Sequence, residues 1–160
     1  MSEPPMDARV LLIGVGNPDR GDDAAGLAVA RELASQTLPH VAIHESPGDG
    51  AALLSAWQGF DVVVLVDAMP PNGHAGRIHR VDAVAQPLPA DLFANSTHTF
   101  GVAQGIELAR ALGMLPRTLI IYGIEGREFT IGSPMSAEVR GAILQVTMAI
   151  LAELRRKTSP

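Results

Sequence analysis

The sequence predicts an α/β protein of three layers, helices on both faces of a mostly parallel sheet. Two observations carry this. Short apolar runs alternate with amphipathic segments from one end of the chain to the other. The clearest of those runs, Asp61-Val62-Val63-Val64-Leu65-Val66-Asp67, is apolar at every internal position, as a strand covered on both faces must be. At 160 residues and 47% hydrophobic content the chain can build one substantial core, so residues 1–160 read as a single domain.

Val10-Leu11-Leu12-Ile13-Gly14 reads as a first buried strand closing in Gly14-Val15-Gly16-Asn17, a tight turn. Asp22 and Asp23 then open a helix that places Leu27, Ala30, Leu33 and Ala34 on one face. Val41-Ala42-Ile43 is a weaker strand. After Ser46-Pro47-Gly48 comes a short helix with Leu53, Leu54 and Trp57. The strand ending at Asp67 should be central. Residues 68–92 are rich in Pro and Gly and predict a long functional loop, interrupted by an edge strand at Gly76 to Val81 where polar and apolar residues alternate. His98 precedes a helix carrying Val102, Ile106 and Ala109 and ending near Gly113. Thr118 to Ile124 is another buried strand. Ser136 can cap a final helix, with Glu138 in its first turn and Arg155-Arg156-Lys157 at its last, charges that suit the helix dipole. Residues 1–8 and 156–160 are expected to be flexible.

Composition excludes several function classes. The net charge of −5 and the lack of any basic run beyond Arg155-Arg156-Lys157 argue against nucleic-acid binding. With no cysteine, disulfide frameworks, thiolate metal sites and a cysteine nucleophile are impossible. There is no signal pattern and no apolar stretch of the roughly 18 residues that span a bilayer, so a soluble cytoplasmic protein without membrane partners is expected.

Gly14-Val15-Gly16-Asn17 invites a dinucleotide reading, but Asp19 stands where the third glycine belongs, and Asp19, Asp22 and Asp23 would repel a pyrophosphate. His-Glu-x-x-His, Gly-x-Ser-x-Gly and phosphate-loop signatures are all missing. What remains is Asp23, Asp67 and His98. Each falls where a predicted apolar strand or loop hands over to a helix, and such points gather in a crevice beyond the carboxyl ends of the strands. Two carboxylates and an imidazole there would form a borderline-hard metal site with open positions. Each residue also has an ordinary structural reading: Asp22 and Asp23 as helix-start acids, Asp67 as a cap, His98 as a backbone-bonded histidine. His40, His44, His74 and His79 read as loop or exposed residues.

Taken together, Gly14-Val15-Gly16-Asn17, Asp22-Asp23-Ala24-Ala25-Gly26, the Val62–Asp67 strand and Ser96-Thr97-His98 resemble the hydrogenase maturation proteases, over about Arg9 to Leu154. The resemblance implies a five-stranded mixed sheet of the phosphorylase/hydrolase-like kind with one antiparallel strand, for which residues 76–81 are the candidate. It implies a nickel-dependent endopeptidase that removes the C-terminal extension of a [NiFe]-hydrogenase large-subunit precursor after metal insertion. Asp23, Asp67 and His98 would be both the catalytic and the metal-contacting residues. The Ni2+ would be held by the precursor and shared, with Zn2+ or Cd2+ able to substitute in crystals, and the protein is expected to be a monomer. Asp19 and Ala24 depart from the family motif, as does Ser46-Pro47-Gly48, where a Gly-Thr pair is usual. A non-catalytic nickel-sensing chaperone and an unrelated metal-dependent hydrolase are the competing expectations.

Overall fold

The computed structural model describes residues 8–89, 92 and 99–158. Its sheet has five strands: β1 (Val10–Val15), β2 (Val41–Ser46), β3 (Val62–Met69), β4 (Ile78–Asp82) and β5 (Thr118–Glu125). They lie in the order β2-β1-β3-β5-β4, with β4 antiparallel to β5 and every other pair parallel. The all-apolar run is therefore the middle strand, and the alternating segment is the antiparallel edge. Helices α1 (Ala25–Ala34), α2 (Gly50–Ala56), α3 (Val102–Leu112) and α4 (Ala137–Thr158) cover the sheet.

Strand alternation divides the core. Val62, Val64, Val66 and Ala68 of β3 pack with α1 and α4, while Val63 and Leu65 face α2 and α3. Trp57, fully buried just beyond α2, donates its indole N–H to the Met114 carbonyl at 3.2 Å and ties the α2 and α3 layer together.

Some boundaries differ from expectation. Asp22 and Asp23 lie in a 3-10 turn over Gly21–Ala24, and the α-helix begins only at Ala25. Ala34 is exposed rather than buried. The loop expected over 68–92 is shorter than it reads, because Ala68 and Met69 extend β3, β4 spans Ile78–Asp82, and Ala83 is buried. Its irregular parts are 70–77 and the segment after β4. The tail expected to loosen from residue 156 stays helical through Thr158, where Arg156 bonds Glu153 at 3.0 Å.

That bond belongs to a buried polar staple joining α4 to the sheet edge. Glu153 is 1% exposed and accepts from Arg80 Nε at 2.6 Å, Tyr122 OH at 3.1 Å and Arg156. Burial pushes its carboxyl up, but the hydrogen bonds from Arg80 and Arg156, the charge of Arg80 and the tyrosine O–H outweigh it and hold the pKa at about 2, against 4.5 ordinarily. A depressed carboxyl stabilises the fold above its unfolded pKa, and that contribution fades as pH falls from about 4.5 towards 2. The shift corresponds to about 3 kcal/mol. Urea unfolding of wild type and Glu153→Gln should therefore show a gap of that order at pH 7 that closes by about pH 2. A gap independent of pH would mean the carboxylate charge plays no part.

Candidate active site

The first acid is delivered by close packing of backbone on backbone. A side chain at Gly26 would lie 2.3 Å from the Val66 carbonyl and 2.4 Å from that of Val15, so α1 starts in contact with both β1 and β3. A Cβ at Gly16 would meet the Asp23 carbonyl at 1.9 Å, which presses the 3-10 turn onto the end of β1. These glycines serve chain packing, as their spacing without the third phosphate-loop glycine suggests. Asp23 is held there by the Asn17 N–H at 3.1 Å and stands 3.8 Å from Arg20, whose guanidinium lies over the Phe129 ring. Burial raises its carboxyl more than Arg20 and the Asn17 N–H lower it, so the net displacement is upward.

Asp67 is 8% exposed and lies in β3, two residues before the strand ends, rather than at the handover itself. No helix follows it; the chain runs on through a loop to β4. By alternation it shares the face of Val63 and Leu65. Its Oδ1 accepts from the Ala68 N–H at 2.8 Å. The carboxyl is pushed well above the ordinary 3.8, first by burial and then by the negative charge of Asp23. Two acids distant in sequence are thus near enough to repel each other in a desolvated setting. Such an arrangement is unfavourable alone and suits a bound cation.

Asp22, the neighbour of Asp23, has a different task from the one expected. It does not serve the terminus of its own helix. Fully buried, it accepts from the backbone N–H groups of Arg127, Glu128 and Ser136 at 2.8, 2.9 and 2.7 Å and from the Ser136 hydroxyl at 2.9 Å. Burial opposes its ionisation, yet those four bonds together hold its carboxyl below the ordinary value. Ser136 in turn accepts from the Val139 N–H, the helix start that the sequence marks.

His98, with Ser96 and Thr97, lies outside the described residues. Among the described residues no group of three His, Cys, Asp or Glu is placed to hold a metal. Asp19 is exposed and braces its own loop, taking the Asn17 Oδ1 on its N–H and the Gly132 N–H on its carbonyl. Ala24 sits half-buried with φ −76°, which costs an alanine nothing.

His40, His44 and His74 are exposed. His79 is not, contrary to expectation: it is half-buried, and its Nε2 is inaccessible and has no hydrogen-bond partner among the described residues. It pairs with Gly123, which pairs with Asp67. Glu125, 2% exposed, also belongs to this end of the sheet and accepts from the N–H groups of Asn72 and His74. Neither residue stands out in the sequence, where His79 reads as one polar member of an alternating edge strand.

Known proteins agree with this architecture. The chain is 26% identical over 153 residues to a putative hydrogenase maturation protease of Methanocaldococcus jannaschii, covering 92% of this chain and 97% of that protein. It is 29% identical over 153 residues to the hydrogenase 2 maturation protease of Escherichia coli, covering 92% and 91%. The solution structure of an endopeptidase from Escherichia coli superposes with a TM-score of 0.81 at 26% identity, over 93% of each chain. The family model described as hydrogenase maturation protease matches residues 27–153, and the chain therefore belongs to that family of endopeptidases.

Proposed function

We propose that the protein is a nickel-dependent endopeptidase that trims the C-terminal extension of a [NiFe]-hydrogenase large-subunit precursor, with Asp23, Asp67 and His98 meeting the metal. The observation that carries this reading is the pair Asp23 and Asp67, two partly or wholly desolvated carboxylates, of which Asp67 is raised first by burial and then by the charge of Asp23. A divalent ion between them would relieve their repulsion, and an imidazole from His98 would complete a borderline set of oxygen and nitrogen donors. Three donors leave positions free on the ion. Nickel already seated in the precursor could keep its own ligands and accept these as well, which would tie cutting to metal loading. The protein's part would be to orient the precursor's tail over Asp67, and the shared ion, when bound, would polarise the scissile carbonyl for attack by water.

Incubation with nickel-loaded precursor should shorten its C-terminus, and apo-precursor should stay intact. Equal cutting of both would remove nickel from the reading. His98 has a separate signature, since only neutral imidazole binds metal and an unperturbed histidine titrates near about 6.5. Calorimetry with nickel should show affinity falling below that pH, and His98→Ala should bind more weakly with a flatter profile between about pH 5 and 7. Unchanged affinity and pH dependence in the variant would take the imidazole out of the site.

A further inference from the structure

We infer that the cavity at the amino ends of β1 and β2, at the far end of the sheet from Asp23 and Asp67, binds a small organic carboxylate with an apolar body, and that Arg9 and His40 hold its carboxylate. The cavity, about 420 Å³, falls within the range of about 300–1,000 Å³ usual for small-molecule sites. Phe60, Val10, Val41 and Ala42 give it an apolar wall, and Arg9 and His40 bring side chains able to donate to an anion. Both are exposed, so a ligand reaches them from solvent. β1 is six residues long, which places the cavity roughly 20 Å from the turn that carries Asp23. That is too far for one small ligand to serve both.

The Arg9 guanidinium is set in place beforehand. Its backbone is clamped to the start of β3: the Arg9 carbonyl accepts from the Asp61 and Val62 N–H groups at 2.8 and 3.1 Å, and its own N–H donates to Asp61 Oδ2 at 2.9 Å. A carboxylate is therefore at hand, yet the guanidinium is not on it. The guanidinium lies over the Phe60 ring, 4.8 Å from the centroid, and a Cβ at Gly59 would come within 3.1 Å of Nη1. Among the described residues no carboxylate is within ion-pair distance of it. A planar fork already laid against a ring keeps donors for an incoming carboxylate and has little freedom left to lose on binding.

His40 supplies the second donor from a strained backbone. It follows Pro39 in the turn closed by the Val41 N–H on the Leu38 carbonyl at 3.4 Å, and its φ is 68°. Elsewhere among the described residues only glycines take a positive φ. A glycine would make this turn without strain, so what the histidine adds is its imidazole, which offers an N–H in either protonation state. Charge then narrows the ligand. Asp61 brings a negative charge to the same end of the sheet, which favours a monoanion over a dianion. An anion without an apolar body would leave the Phe60 and Val41 wall unfilled.

NMR titration of the full chain tests this with phenylacetate, with its uncharged counterpart phenylacetamide and with inorganic phosphate. Phenylacetate should bind with a dissociation constant of about 1 mM or below and shift the His40 imidazole and Phe60 ring signals, and the other two should bind about tenfold more weakly or worse. Arg9→Gln should weaken phenylacetate by about tenfold or more. His40→Gly should weaken it by about threefold or more while melting at or above the wild-type temperature, a split that a residue kept only for the turn would not show. Equal affinity for phenylacetate and phenylacetamide would reduce the cavity to an apolar cleft, and tighter binding of phosphate would make it a phosphate site; either result overturns the proposal. So would shifts confined to the Asp23 and Asp67 end of the sheet, or variants at Arg9 and His40 that bind as wild type does. No readout involves the precursor, so failure here leaves the processing reading standing.

Discussion

Asp67→Asn should abolish precursor cleavage, by about 10³-fold or more, while making the folded protein more stable at neutral pH. The two effects share one cause. Asp67 is nearly dry, and among the described residues its supporting hydrogen bond is the N–H of the next residue, while Asp23 adds a like charge. Ionising it in the fold is therefore unfavourable. A raised carboxyl makes the folded state hold its proton longer than the unfolded chain does, so stability declines as pH climbs above the unfolded value near 3.8. An amide escapes that decline. The variant's advantage should be small near pH 4 and should grow with pH to roughly 1–2 kcal/mol. Asp23→Asn should give part of the same gain by removing the repelling charge, and the two gains should not add. Thermal unfolding of the two single variants and of the double variant across pH reads this directly. A destabilised Asp67→Asn at pH 7, or one that still cuts, would show that Asp67 is held by partners the proposed site does not include.

The same pair shows how far the sequence can be read. Asp67 is conspicuous because an acid directly follows five mostly β-branched positions that the core covers on both sides, a pattern that fixes its strand and its depth at once. Asp23 is conspicuous by the glycines around it, because Gly16 and Gly26 are needed wherever backbone must touch backbone. The edge strand was legible in its alternation, and its antiparallel pairing came from the family pattern. What the sequence hides is whatever depends on register between strands. Nothing local tells that His79 is in line with Asp67 through Gly123, or that Arg80 beside it turns to the opposite face to bond Glu153, 73 residues away. A period-2 pattern gives the two faces of a strand but not which neighbour each face meets. Asp22 was misread for the same reason: an acid in a first helical turn has a ready local explanation, and its partners are more than 100 residues downstream.

Those distant partners make Asp22 the acid whose loss should most damage the fold. Asp22→Asn should lower stability by about 3 kcal/mol, against the one or less that a solvent-facing helix-start acid would contribute. Both oxygens of this carboxylate are engaged: Oδ2 takes the N–H groups of Arg127 and Glu128 and the Ser136 hydroxyl, and Oδ1 takes the Ser136 N–H. An asparagine keeps one acceptor and turns an NH2 towards backbone donors, which leaves N–H groups buried and unpaired whichever way the amide flips. Bonds to a charged acceptor contribute about 1.5–3 kcal/mol each, so losing two of them and gaining one bond to the serine oxygen gives the stated size. For a chain of this length the melting temperature should fall by roughly 6–12 °C. Because the carboxyl is held below its ordinary value, the deficit should be full at neutral pH and shrink as acid protonates the wild type too. Asp22 touches the loop behind the 3-10 turn and not the crevice in front of it. The folded fraction of Asp22→Asn should accordingly cut precursor at a rate within a few-fold of wild type, measured below its lowered transition, whereas Asp23→Asn should fold normally and fail to cut. A stable Asp22→Asn that has lost cleavage would reverse the roles of the two adjacent aspartates and move the metal-facing position by one residue.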